Sequence, residues 1–259
     1  MTPYSTTTTP ASTTTVSTTP AGATPAGTTA PARFLLLGDS HAGPVGRAAQ
    51  EAGIPFRGGP IGAGRDFFAE FFDVRAGDRG EGGAGDDIVF RKPEADRYYR
   101  RFLDELGIPA LGALTVPLVS TLGFSAHFVA TAENWQVYRV RDGFPPGFLS
   151  GRLFDGVVLS MSRGALAFYR HVRRLGLRTL AVMPPQRVPG HADPEVFRAA
   201  QDTLRRALLP LGVEIVDLRE RATDSTGAQR PELCEPDDTI HGNLAFGRMI
   251  LADLLARGL

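Results

Sequence analysis

The chain of 259 residues contains one cysteine, one tryptophan and one lysine: Cys234, Trp135 and Lys92. A single thiol excludes an internal disulfide and any zinc site built from several cysteines. Cys234 is expected to pack beside the loop that follows it rather than to react. An excess of charge of either sign is also missing, since 28 Lys and Arg balance 28 Asp and Glu. The chain therefore carries no electrostatic footprint for nucleic acid, although its cations are almost all guanidinium, which suits an anionic group. No apolar run approaches the length of a membrane span. Residues 1–32 are almost entirely Thr, Ser, Pro, Ala and Gly, with neither the basic nor the apolar segment of a secretory signal. A soluble, cytoplasmic protein is the expectation. The same composition cannot bury apolar surface, so this tail is expected to be disordered and the fold to begin at Arg33.

Residues 33–259 suit one α/β domain. Phe34-Leu35-Leu36-Leu37 is too short for a helix and is closed by Gly38, as an inner strand of a parallel sheet would be. Further strands are expected at Ile54 to Arg57, in the apolar run Val116 to Leu122, at Arg178 to Met183 and at Val213 to Leu218. A competing third strand, Gly156 to Ser160, would place Ser162 and Arg163 near the site. It ranks second because Phe154, Val157, Val158, Met161, Ala165, Phe168, Val172 and Leu175 have helical spacing. Helices are expected at Val45 to Ala52, Asp96 to Leu106, Pro194 to Leu209 and Leu244 to Leu255, the last with Asn243 as N-cap. Between Arg65 and Asp87 the chain is rich in glycine and charge yet carries Phe67, Phe68, Phe71 and Phe72, which reads as an ordered flap or a dimer contact within an insertion near 65–95. Strands alternating with helices over short connections imply right-handed crossovers. The expected architecture is a three-layer sandwich around a five-stranded parallel sheet in flavodoxin-like order.

Open α/β sheets bind ligands beyond the carboxyl ends of their strands. Gly38-Asp39-Ser40-His41 delivers a hydroxyl there, although Gly-Asp-Ser is equally an ordinary strand-ending turn. A serine becomes a nucleophile when a base takes its proton, and a histidine is an effective base when a carboxylate fixes its tautomer. Asp237-Asp238-Thr239-Ile240-His241-Gly242-Asn243, just before the final helix, supplies such a pair. Three-residue spacing can fold the Asp238 carboxylate onto His241 Nδ1, leaving Nε2 to face Ser40.

Gly38-Asp39-Ser40 and Asp238-Thr239-Ile240-His241 together resemble the first and last blocks of the SGNH, or GDSL, hydrolase family, from about Arg33 onward. The resemblance implies an esterase or acyltransferase working through an acyl-Ser40 intermediate, with Ser40, Asp238 and His241 catalytic and neither cofactor nor metal. It also implies an oxyanion hole from the N–H groups of Ser40 and a second-block glycine, here Gly62 in Gly58-Gly59-Pro60-Ile61-Gly62-Ala63-Gly64. The family's third block, Gly-x-Asn-Asp, is missing. Its nearest counterpart is Gly123-Phe124-Ser125-Ala126, which puts Ser125 in the asparagine's place, with Asn134 as a possible substitute. Gly-Asp-Ser-His, through His41, is similar to variants associated with O-acyl transfer on glycans. His41, Gly123, Asn134 and Arg187 are the expected substrate contacts, and the substrate is a small-molecule or glycan ester. The cluster Phe124, Phe128, Trp135, Tyr138, Phe144 and Phe148 suits either an acyl pocket or core packing. His127 could assist in the pocket but reads better as a structural histidine, and His171 and His191 fall on a helical face and in a proline loop.

Two other classes stay open. Asp39-Ser40-His41 also reads as the Asp-x-His opening of a metallophosphoesterase, though that family's later metal-binding strings are absent. A non-catalytic glycan-binding relative fits the missing asparagine. Nothing in the sequence fixes the oligomeric state.

Overall fold

The computed structural model describes residues 30–77, 85–141 and 143–259, so the expected disorder of the tail falls mostly outside the described residues. The core of the fold is a five-stranded parallel sheet. Its strands are β1 (Leu35–Gly38), β2 (Arg57–Pro60), β5 (Leu118–Ser120), β6 (Thr179–Val182) and β7 (Glu214–Val216), in the order β2-β1-β5-β6-β7. This is the expected flavodoxin-like order.

Alternation along β1 separates two cores. Phe34 and Leu36 point to one face, where they meet helices α1 (Ala42–Glu51) and α8 (Leu244–Ala256). Leu35 and Leu37 point to the other, where α2 (Pro93–Leu106), α4 (Arg152–Met161), α5 (Arg163–Arg174) and α6 (Pro194–Leu208) pack. A strand buried on both faces needs apolar residues at every position, which is why the run in β1 is continuous rather than alternating. Short helices α3 (Ala132–Trp135) and α7 (Arg219–Ala222) complete the layers. Helix starts follow local signals. Asp193 accepts hydrogen bonds from Glu195 N (2.9 Å) and Val196 N (3.1 Å) before Pro194 opens α6, and Asn243 accepts from Phe246 N (3.2 Å) to start α8.

Two expectations are corrected and a competing one is decided. The second strand lies three residues later than Ile54, at Arg57–Pro60, and takes in glycines that read as a turn. Gly58 (φ +103°) lies so close to β1 that a Cβ there would sit 1.9 Å from Leu36 O, so only glycine lets the strands pair. Residues 156–160 are helical within α4, with Phe154 and Val158 turned into the core, as the helical spacing there implied over the competing strand. The segment after Gly64 forms a 3₁₀ turn and an antiparallel hairpin, β3 (Phe72–Arg75) with β4 (Asp87–Phe90); residues 78–84 lie outside the described residues. Phe67, Phe71 and Phe72 are buried in the domain's own core, where Phe67 packs edge-on against Phe71, Phe71 stacks on Phe90 and Phe72 meets Phe168 edge-on, so they are not available as a dimer contact.

α1 and α8 cross at close range, because Gly247 lies against the carbonyl of Pro44. A Cβ at position 247 would come 2.1 Å from Pro44 O. Helix propensity alone favours alanine there by about 1 kcal/mol, but forcing packed elements apart costs about 1–3 kcal/mol. Gly247→Ala is therefore expected to lower the unfolding free energy by roughly 1 kcal/mol in urea titrations. An unchanged or higher value would show that the helices separate freely.

Candidate active site

The turn after β1 is fixed from below by a buried carboxylate. Asp39 is fully buried, and its N–H donates to Thr121 Oγ1 (3.1 Å). Its Oδ1 accepts from the Thr121 hydroxyl (2.8 Å) and from His41 N (3.0 Å), while Oδ2 accepts from the Ser125 hydroxyl (2.5 Å). These bonds tie the end of β1 to the loop after β5 and hold Ser40 up at the sheet's carboxyl edge, one residue before the N-cap of α1. Gly38 permits the contact, since a Cβ would fall 2.2 Å from Thr121 Oγ1.

The second half of the site comes from the loop entering α8. Asp238 Oδ1 accepts from the N–H groups of Ile240 (2.6 Å) and His241 (2.7 Å), which curls the loop so that Asp238 Oδ2 meets His241 Nδ1 at 2.7 Å. His241 Nε2 then lies 2.7 Å from Ser40 Oγ, across 201 residues of sequence. A carboxylate acceptor at Nδ1 places the imidazole proton there and leaves the Nε2 lone pair for the serine proton. Burial acts to raise the Asp238 pKa, but the hydrogen bond from His241 and the two amides outweigh it and hold the carboxyl at about 2. The base of this loop is closed by a bridge between Cys234 and Gly242, and by Asn243 Nδ2 donating to Glu232 O (2.9 Å) and Cys234 O (3.1 Å). Burial raises the Cys234 thiol pKa.

Other expected site residues are placed differently. Ser125 is not an oxyanion donor, because its one hydroxyl proton goes to Asp39 in a buried contact. Gly123 (φ +87°) serves packing, since a Cβ there would meet Ala165 Cβ at 2.2 Å. Asn134 is exposed on α3 and hydrogen-bonds none of these residues through its side chain among the described contacts. Arg187 does not face a substrate anion; it donates to the backbone carbonyls of Glu235, Asp238 and His241. Gly62 follows Ile61, whose N–H donates to Gly38 O (2.8 Å). The N–H groups of Ser40 and Gly62 have no acceptor among the described residues. Trp135, Tyr138, Phe144 and Phe148 form their own stack with Phe154, a packing role. Asp39 and His41 do not present an Asp-x-His metal pair, because the carboxylate turns inward to Thr121 and Ser125. Among the described residues no group of three or more His, Cys, Asp or Glu is arranged to hold a metal ion.

Thr121 is a site residue that no local sequence pattern singled out. Thr121 is the first hydroxyl beyond β5, the same strand-end position that singled out Ser40. The His41 ring lies 5.1 Å from that of His241, and its Nδ1 is buried without a partner among the described residues. Burial lowers the His41 pKa, partly opposed by Asp39. Burial, reinforced by His41, holds His127 at about 4. The unfolded value is near 6.5, so between these limits the unfolded chain takes a proton that the folded chain does not. Stability consequently falls as pH drops through that window. His127→Gln is expected to shrink the stability lost between about pH 7 and about pH 4 by on the order of 2 kcal/mol. Urea unfolding at both pH values measures it, and an unchanged difference would refute the assignment.

No protein-family model matches the chain, and no curated protein matches it. Among solved structures, it is similar to a GDSL-like lipase from Bacteroides thetaiotaomicron, with 12% identity over 87% of this chain and 86% of that one and a TM-score of 0.41. It is similar to TesA at 11% identity, over 86% of this chain and 96% of that one, with a TM-score of 0.41. The psychrotrophic esterase EstA from Pseudoalteromonas sp. gives 11% identity, 86% and 96% coverage, and a TM-score of 0.41.

Proposed function

We propose that the protein is a serine esterase or acyltransferase that cleaves an ester-linked acyl group, on a small metabolite or a glycan, through an acyl-Ser40 intermediate. One observation carries this reading: Ser40 Oγ, His241 Nε2, His241 Nδ1 and Asp238 Oδ2 form an unbroken chain of 2.7 Å contacts at the carboxyl edge of a parallel sheet. Ser40 Oγ attacks the ester carbonyl carbon while its proton passes to His241 Nε2. The imidazolium is stabilised by Asp238 and gives that proton to the departing alcohol as the carbon–oxygen bond breaks. Water or a second alcohol then attacks the acyl carbon, His241 takes its proton, and Ser40 leaves with that proton restored.

The negative charge developing on the carbonyl oxygen is assigned to the unpartnered N–H groups of Ser40 and Gly62, with the N-terminal dipole of α1 behind them. A single donor of this kind is worth about 3–4 kcal/mol where it has been removed from enzymes. A two-donor hole fits the diversion of Ser125 to Asp39, and implies slower chemistry than a three-donor hole would give. Treating the protein with a fluorophosphonate and locating the adduct by peptide mass spectrometry tests the reading. A stoichiometric adduct on Ser40, formed equally fast with a metal chelator present, is the expected result. No adduct at Ser40 under conditions that modify other serine hydrolases would refute it.

A further inference from the structure

We infer that Arg187 is a positioning residue, the clamp that holds the Asp238–His241 loop in register with Ser40; the inference rests on the reading of that triad. Its guanidinium Nη1 donates to Glu235 O (2.8 Å) and His241 O (2.8 Å), and Nη2 donates to Asp238 O. One side chain thus binds the backbone of both the base and the residue that orients it. The Arg187 side chain is only 17% exposed, and its Nη1 lies 4.0 Å from Asp238 Oδ1.

The platform behind it is rigid. Arg187 follows Pro184-Pro185 at the end of β6, and buried Gln186 is anchored on both sides. Its N–H donates to Gln229 Oε1 (3.0 Å), and its amide donates to Pro184 O (3.1 Å) and Gln201 Oε1 (2.9 Å). Within the loop, Asp238 Oδ1 holds the Ile240 and His241 amides and Glu235 N donates to His241 O (3.1 Å), but these bonds tie the loop to itself, and Arg187 ties it to the platform after β6. Asp237 sits at φ +56°, a left-handed conformation unfavourable for a residue other than glycine. A cleft of about 590 Å³, lined by Arg187, Cys234, Pro236, Asp237 and Thr239 among others, lies along it instead of packed side chains. Asn243, the Cys234–Gly242 bridge and the bond from Glu235 N to His241 O (3.1 Å) close the base of the loop. A planar fork can bind three carbonyls at once, which a lysine ammonium cannot do in the same geometry.

Two measurements on the full chain test this. The first is the second-order rate of fluorophosphonate labelling, together with KM and kcat for p-nitrophenyl acetate, in wild type, Arg187→Ala and Arg187→Lys. A loop displaced by about 1 Å costs on the order of 10²-fold in rate. Arg187→Ala is therefore expected to label about 100-fold more slowly, with kcat reduced and KM within about twofold. Arg187→Lys should fall between alanine and wild type. The second measurement needs no activity: the low-field proton resonance of the His241 Nδ1–H hydrogen bond, identified by its loss in His241→Asn. It should be present in wild type, weakened in Arg187→Lys and absent in Arg187→Ala, while the thermal melting of the domain stays cooperative. Should the alanine variant not fold, the lysine variant carries both tests. Wild-type labelling rates and an intact resonance in the variants overturn the inference, and so does a raised KM at unchanged kcat, which would make Arg187 a substrate contact. If wild type itself does not label, the esterase reading fails, and the resonance alone decides whether Arg187 is the clamp.

Discussion

Ser40→Ala is expected to lower the turnover of p-nitrophenyl acetate by about 10⁶-fold, the cost of removing a triad serine where it has been measured. The size of the effect comes from interdependence: His241 has no proton to accept once the hydroxyl is gone, and Asp238 has no imidazolium to stabilise. A double variant, Ser40→Ala with His241→Ala, should therefore be no slower than the single one. Some acceleration over water should persist, about 10³-fold, because the N–H groups of Ser40 and Gly62 are backbone and survive the substitution. The fold should be untouched, since the network beneath the turn runs through Asp39, Thr121 and Ser125 rather than through Ser40. Retention of more than about one hundredth of the wild-type turnover would exclude Ser40 as the nucleophile.

Asp238→Asn should reduce turnover by about 10⁴-fold while leaving the loop in place. The asparagine oxygen can still accept from Ile240 N and His241 N, the two bonds that curl the loop. What changes is the other atom, now an NH₂ group facing His241 Nδ1. A donor there requires Nδ1 to be the acceptor, so the proton moves to Nε2, and Nε2 can no longer take the proton of Ser40. Stability gives an independent reading of the same carboxylate. Its folded pKa of about 2 lies below its unfolded value near 3.9, so the ionised form favours the folded state. The contribution is fully present above about pH 4 and disappears as pH falls through about 2. The excess melting temperature of wild type over Asp238→Asn should follow that course, and a pH-independent excess would refute it.

The parts of this architecture legible in the sequence are those written in neighbouring residues. β1 showed as an unbroken apolar run because both of its faces are buried, and α8 showed through its cap Asn243. The Ser40 turn and the Asp238 to His241 spacing are likewise local patterns. β2 was displaced because its pairing depends on the close approach of Gly58 to Leu36, a long-range contact that the same glycines disguise as a turn. The partner of Ser125 was hidden for a similar reason. Asp39 lies 86 residues away, and nothing near Ser125 indicates that its proton is already committed. Arg187 was read as an anion contact because an arginine at a strand end usually has solvent before it; here the Asp238 loop folds back over the guanidinium and offers it carbonyls.

The 2.7 Å contact between Ser40 and His241 joins the first strand of the domain to the segment entering α8. During synthesis the proposed nucleophile leaves the ribosome some 200 residues ahead of its proposed base. Until the Asp238 loop has emerged and α8 has docked on α1 at Gly247, the chain carries an unactivated hydroxyl. On the proposed function, activity is thus timed to the completion of folding. On that reading, a chain broken anywhere before residue 238 would be inert, however well its earlier strands had assembled.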